Sequence, residues 1–103
     1  MNTLTNNIIE INENDFHEKV IEASKSTLLL VDFWAPWCGP CKQLTPLLEK
    51  VIQKTDNKVI LAKINIDDNQ QIAAQLRIQS IPAVFAFKNG QPIDAFQGVI
   101  PEN

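Results

Sequence analysis

The chain has 103 residues, 45% of them hydrophobic and 20% charged, which suits one compact domain with one core and excludes two. Its formal net charge of -3 argues against a surface built to neutralise phosphates, because nucleic-acid footprints are basic. The longest apolar stretch, Leu28 to Val31, is far too short to span a bilayer. The segment Met1-Asn2-Thr3-Leu4-Thr5-Asn6-Asn7 has no basic residue and no secretory apolar run. A cytoplasmic protein without nucleic-acid or membrane partners is expected.

Ile8-Ile9-Glu10-Ile11 is short, β-branched and partly alternating, and predicts a first strand. Asn14 or Asp15 can cap a helix on which Phe16, Val20 and Ala23 or Ser24 share a face. Thr27-Leu28-Leu29-Leu30-Val31-Asp32-Phe33-Trp34 is apolar except for its threonine and Asp32, the pattern of a central strand covered on both faces. After Pro36 and Gly39-Pro40, the residues Leu44, Leu47, Leu48, Val51 and Ile52 recur at helical spacing. Pro46 falls inside that helix, where it removes a backbone donor and should kink it. Val59 to Ile66 reads as a strand and Asn69 to Leu76 as a short helix. Ala83 to Phe87 and Ile93 to Phe96, joined through Asn89-Gly90, read as an antiparallel hairpin. The order is βαβαβαββ, an α/β architecture with helices on the faces of one sheet.

The chemistry-bearing feature is Trp37-Cys38-Gly39-Pro40-Cys41-Lys42. The two cysteines of the chain close no long loop and contribute little as a structural crosslink. At a helix start their spacing is about one turn, compatible with a Cα separation of roughly 4.4–6.8 Å for a disulfide. Cys38 would lie where unpaired N–H groups and the positive end of the helix dipole favour thiolate over thiol, which makes it the nucleophile. Cys41, three residues further in, becomes the resolving thiol. Gly39 presents no side chain to an incoming protein, and Pro40 sits where a missing N–H costs least. A zinc site would need four ligands, and only the distant His17, read as a solvated surface residue, could join the cysteines. Haem attachment would need a histidine after Cys41, where Lys42 stands. Redox chemistry fits the pair in its βαβ context, without metal or bound cofactor.

Taken together, the run Val31 to Lys42, Pro46, Ala62-Lys63-Ile64-Asn65-Ile66-Asp67, Ile81-Pro82, Phe87-Lys88-Asn89-Gly90 and Gly98 resemble the thioredoxin family along almost the whole chain. The resemblance implies a thioredoxin fold, a central mixed sheet flanked by helices. It implies a protein-disulfide reductase with disulfide-containing client proteins and a flavoprotein thioredoxin reductase as partners. For Asp32 it implies a buried carboxyl that accepts the proton of Cys41; burial in an apolar strand agrees, since desolvation raises a carboxyl pKa. Lys63 is implied to be the charge partner of Asp32. Ile81-Pro82 resembles the family's cis-proline loop, which would form a side-chain-poor docking surface with Trp37, Gly39, Pro40 and Gly98 for an extended substrate segment. Trp34 is expected to pack in the core and Trp37 to form a half-exposed wall of the site.

The chain reaches Gly98-Val99-Ile100-Pro101-Glu102-Asn103 where the family continues into a last helix. Pro101-Glu102-Asn103 is similar to the start of that helix, so residues 1–103 read as a thioredoxin domain whose C-terminal helix is missing. An apolar face would then need cover from further parts of a longer chain or from a partner subunit. Ile72-Ala73-Ala74-Gln75-Leu76 and the hairpin through Gly98 also resemble the thioredoxin domain of bacterial tetratricopeptide-repeat co-chaperones. That likeness implies an alternative role, a client-holding domain whose dithiol forms mixed disulfides.

Overall fold

The computed structural model describes residues 7–98. The apolar run after Thr27 forms β2 (Leu28–Trp34), the middle of a five-stranded sheet. It pairs in parallel with β3 (Val59–Asn65) and antiparallel with β4 (Ala83–Lys88). At the edges, β1 (Ile8–Glu10) runs parallel to β3 and β5 (Gln91–Gln97) antiparallel to β4. The order β1-β3-β2-β4-β5 is the expected mixed sheet. Among the described residues no helix is long and apolar enough to cross a membrane.

The alternation of side chains along β2 divides the molecule into two layers. Leu29, Val31 and Phe33 point into an apolar core shared with Phe85 and Phe87 of β4 and with Phe16 and Val20. Phe16 meets Phe87 edge-to-face at 5.6 Å, and Phe33 meets Phe85 at 5.7 Å. The helical cover here is Glu13–Asp15, His17–Glu22 and Ala23–Lys25 in succession, joined by α2 (Gln70–Gln75), which contributes Ile72. The N-terminal cap is Asn12 rather than Asn14 or Asp15; its side chain accepts from the N–H groups of both.

The opposite face is covered by α1 (Gly39–Gln53), which runs unbroken through Pro46. The apolar stripe expected on this helix is wider than the surface that covers it. Cys41 and Ile52 are buried and Leu44 and Leu48 half-buried. Leu47 and Val51, one residue off that seam, are 59% and 60% exposed, as is Ile93 of β5 at 59%. The segment Pro101-Glu102-Asn103, read as a helix start, lies outside the described residues.

The β4–β5 turn is pinned by Ser24, expected only as an alternative to Ala23 on the helix face of Phe16 and Val20. Asn89 and Gly90 take φ values of 56° and 80°, the left-handed pair of a two-residue hairpin turn. The buried Ser24 hydroxyl donates to the Ile21 carbonyl and accepts from the Gly90 N–H, both at 2.8 Å. Ser24→Ala strands that N–H, so urea unfolding is expected to show a loss of roughly 1–3 kcal/mol.

Candidate active site

β2 ends at Trp34, and the chain turns through Ala35 to Trp37 into the first turn of α1. Cys38 is the N-cap of that helix, with extended φ and ψ of -89° and 106°. Its Sγ accepts the Cys41 N–H at 3.2 Å, one of the donors that a helix start leaves without an internal partner. Pro40, within the first turn, has no N–H to strand. Cys38 and Cys41 form a disulfide across a Cα separation of 5.3 Å, and both residues are buried. Gly39 lies between them with open space where a Cβ would project. The glycine is therefore not required by the packing of its own chain.

Beneath α1 lies Asp32, fully buried on the face of β2 opposite the aromatic core. Its Oδ2 accepts the Thr45 hydroxyl at 2.7 Å, while Oδ1 has no partner. Burial raises the Asp32 pKa; the Thr45 hydrogen bond and the charge of Lys63 oppose the rise, and Glu49 and Glu10 add to it. Lys63 stands beside Asp32 in the β2–β3 register, but its ammonium is bonded to Glu49 Oε2 at 2.8 Å. Lys63, implied as the charge partner of Asp32, makes its ion pair with Glu49 and acts on Asp32 through its field. Glu10 of β1 is also pushed up by burial and accepts the Trp34 indole N–H at 3.3 Å. Trp34 is half-buried and packs against the cluster of Ala35, Cys38 and Cys41.

Thr45 and Glu49 escaped the sequence reading although a signal was present. They follow Cys41 at i+4 and i+8, so all three share one face of α1. Cys41, Thr45, Glu49 and Lys63 line a common depression of about 340 Å³ that opens beside the dithiol.

The remaining site residues converge from other elements. The Ile81–Pro82 peptide is cis, and Ile81 packs against the cluster of Ala35, Cys38 and Cys41. The Pro82 carbonyl accepts the Gly98 N–H at 2.6 Å. Gly98 has φ of 77°, and a Cβ there would sit 2.9 Å from the Ser80 hydroxyl oxygen. Pro40, Pro82 and Gly98 line one apolar depression of about 260 Å³ with Leu44, Leu47 and Phe96. Trp37 and Ile81 line a second on the other flank. Trp37 is 66% exposed, more than the half-exposed wall expected, and its indole N–H donates to both carboxylate oxygens of Asp67 at 3.1 Å. His17 is exposed and remote from these groups, with its ring 3.8 Å from Glu22.

Comparison with known proteins fits this arrangement. The sequence model of the thioredoxin family matches residues 7–103. Thioredoxin 1 of Nostoc sp. (strain PCC 7120) is 38% identical over 93 residues, covering 90% of this chain and 85% of the relative. Thioredoxin of Haemophilus influenzae is 41% identical over 95 residues, 92% of this chain and 87% of the relative. Mitochondrial thioredoxin of Bos taurus is 44% identical over 89 residues, 86% of this chain and 52% of that protein.

The two glycines of the site should respond oppositely to the same substitution. Gly98→Ala forces a left-handed φ on a side chain that also meets Ser80, and should cost more than about 1 kcal/mol in urea unfolding. Gly39→Ala meets nothing and removes chain entropy, so it should be neutral or stabilising by up to about 1 kcal/mol.

Asp32 sets a pH dependence of stability. Its pKa is raised in the fold, so on leaving the ordinary aspartate range the unfolded chain loses its proton first, and stability falls until the raised native value is passed. Asp32→Asn should therefore raise the urea midpoint at pH 7, with the gain vanishing below the ordinary aspartate range.

Proposed function

The chain belongs to the thioredoxin family and is a thiol–disulfide oxidoreductase, and from that premise we propose that Cys38 is its nucleophile, Cys41 its resolving thiol and Asp32 the acceptor of the Cys41 proton. The observation that carries this reading is the disulfide at the N-terminus of α1, with one sulfur at the cap and the other one turn inside. In the reduced protein, the helix terminus and the Cys41 N–H favour a thiolate on Cys38. That thiolate attacks a substrate disulfide, forms a mixed disulfide and expels the first substrate thiolate, which takes a proton from water. Cys41 then loses its proton to Asp32, attacks Cys38 Sγ, closes the intramolecular disulfide and expels the second substrate thiolate, which takes up a proton as Asp32 releases the one it accepted. The substrate gains two electrons and two protons, and the dithiol becomes the disulfide of this structure.

Disulfide-containing proteins and a thioredoxin reductase are the general partners that family membership implies. The finer reading is that a flavoprotein reductase returns two electrons to the Cys38–Cys41 disulfide. An extended substrate segment docks along Ile81-Pro82, flanked by Trp37, Gly39, Pro40 and Gly98, where backbone groups and small side chains admit many sequences. The two apolar depressions beside the dithiol support that placement. Lys63 acts in this scheme through its charge, which opposes the rise in the Asp32 pKa, while Glu49 holds its ammonium. A reducing compartment such as the cytoplasm suits a dithiol that works as a reductant. The relatives named above are thioredoxins, which supports a reductase over a client-holding domain.

Insulin disulfide reduction driven by a thioredoxin reductase tests the assignment. Cys38→Ser should reduce turnover to background, and Cys41→Ser should accumulate a mixed disulfide visible by mass spectrometry. Asp32→Asn should slow resolution about 100-fold at pH 7, the low end of general-base contributions, with recovery as pH rises. Turnover that survives Cys38→Ser would overturn the assignment of the nucleophile.

A further inference from the structure

We propose that Thr45 is a positioning residue of the exchange reaction: its hydroxyl holds Asp32 Oδ2, leaving Oδ1 as the oxygen that takes the proton of Cys41. The proposal rests on the reading of Asp32 as proton acceptor and adds the group that orients it. Asp32 is fully buried, and the Thr45 Oγ1 to Oδ2 contact of 2.7 Å is its sole side-chain hydrogen bond among the described residues. A buried carboxylate with one anchored oxygen is fixed in rotation, so its free oxygen keeps one direction. Thr45 lies one helical turn after Cys41 and lines the same depression. The residue that touches the carboxylate thus also stands beside the thiol that must be deprotonated.

The surrounding charges leave this part to Thr45. From β3, Lys63 faces the carboxyl but is bonded to Glu49 of α1 at 2.8 Å. From β1, Glu10 adds only like charge and is bonded to Trp34. From β4, the register partner is Val84, whose side chain has nothing to donate. The Thr45 hydroxyl donates to a carboxylate more strongly than to a carboxylic acid, so its loss disfavours the ionised form and raises the pH at which Asp32 becomes a base.

Thr45→Val removes the hydroxyl at nearly constant shape, and Thr45→Ser keeps it. Two measurements separate the proposal from the reading beneath it. The side-chain ¹³C titration of Asp32 in the oxidised protein, where the thiols do not titrate, reads the contact itself. Its midpoint should move upward in Thr45→Val and return toward wild type in Thr45→Ser. Single-turnover release of substrate from the Cys38 mixed disulfide reads the catalytic consequence. At pH 7, release should slow about tenfold in Thr45→Val, the scale of one hydrogen bond to a charged group, with the pH profile displaced upward and restored in Thr45→Ser. A Thr45→Val titration and release profile that superimpose on wild type overturn the proposal. An Asp32→Asn release profile identical to wild type overturns instead the role of Asp32. Should Thr45→Val fail to fold, a wild-type midpoint in Thr45→Ala overturns the proposal equally.

Discussion

One strand serves two environments that could hardly differ more, and the site depends on keeping them apart. Leu29, Val31 and Phe33 fill an aromatic core on one face of β2, while Asp32 projects from the other face beneath α1. The side-chain period of two makes this separation strict, because a register slip of one residue would drive the carboxyl into the aromatic core. Register is held on both sides, by the parallel ladder with β3 and the antiparallel ladder with β4. A charged group is thereby delivered to one depth under one helix turn, supported by a core that tolerates no displacement.

The electrostatics of that depth are unbalanced. Three carboxyls, those of Asp32, Glu10 and Glu49, gather around one ammonium, and Glu49 holds the ammonium. The pair is only partly buried, so its own contribution to stability is modest. Its greater consequence is for Asp32, which feels Lys63 as a field and Thr45 as a contact. An ammonium bonded directly to Asp32 would keep it ionised and make it a poor proton acceptor. A dry apolar pocket with no donor would keep it protonated. The arrangement found lies between these limits: burial raises the Asp32 pKa, and the Thr45 hydrogen bond and the Lys63 charge oppose the rise.

The order of elements and the placement of the cysteines were legible because each rests on a local pattern: β-branched runs, a helical repeat, and a dithiol at a strand-to-helix junction. The resemblance then directed attention to Asp32 and to Ile81-Pro82, which composition could not have singled out. Illegible features depend on which of several neighbours wins a contact. Lys63 faces both Asp32 and Glu49, and the choice follows from the reach of its side chain across to α1. The stripe from Leu44 to Ile52 marks an amphipathic helix but does not say how much of it is covered, because the exposure of Leu47 and Val51 is set by tertiary packing. The hydroxyl of Ser24, bonded sixty-six residues away to Gly90, has no signature in sequence. Thr45 is the instructive case, because its spacing from Cys41 was visible while its partner, thirteen residues upstream, was not.

Two cysteines are chemically the same side chain, yet exchange in two ordered steps requires them to behave differently. The asymmetry comes from their position on one helix. Cys38, at the cap, receives the N–H of Cys41 and the field of the helix terminus, neither of which requires any proton acceptor nearby. Cys41, a turn inside, has its own N–H committed to Cys38 and gains less from the terminus, whose influence decays within the first turn. In the proposed scheme its proton goes to Asp32, which is held by Thr45, one turn further along α1. In that scheme a thiolate supplied by backbone geometry precedes one supplied by proton transfer, and the second forms at the sulfur held one turn inside the helix. The order of the chemistry is written in the pitch of a single helical turn.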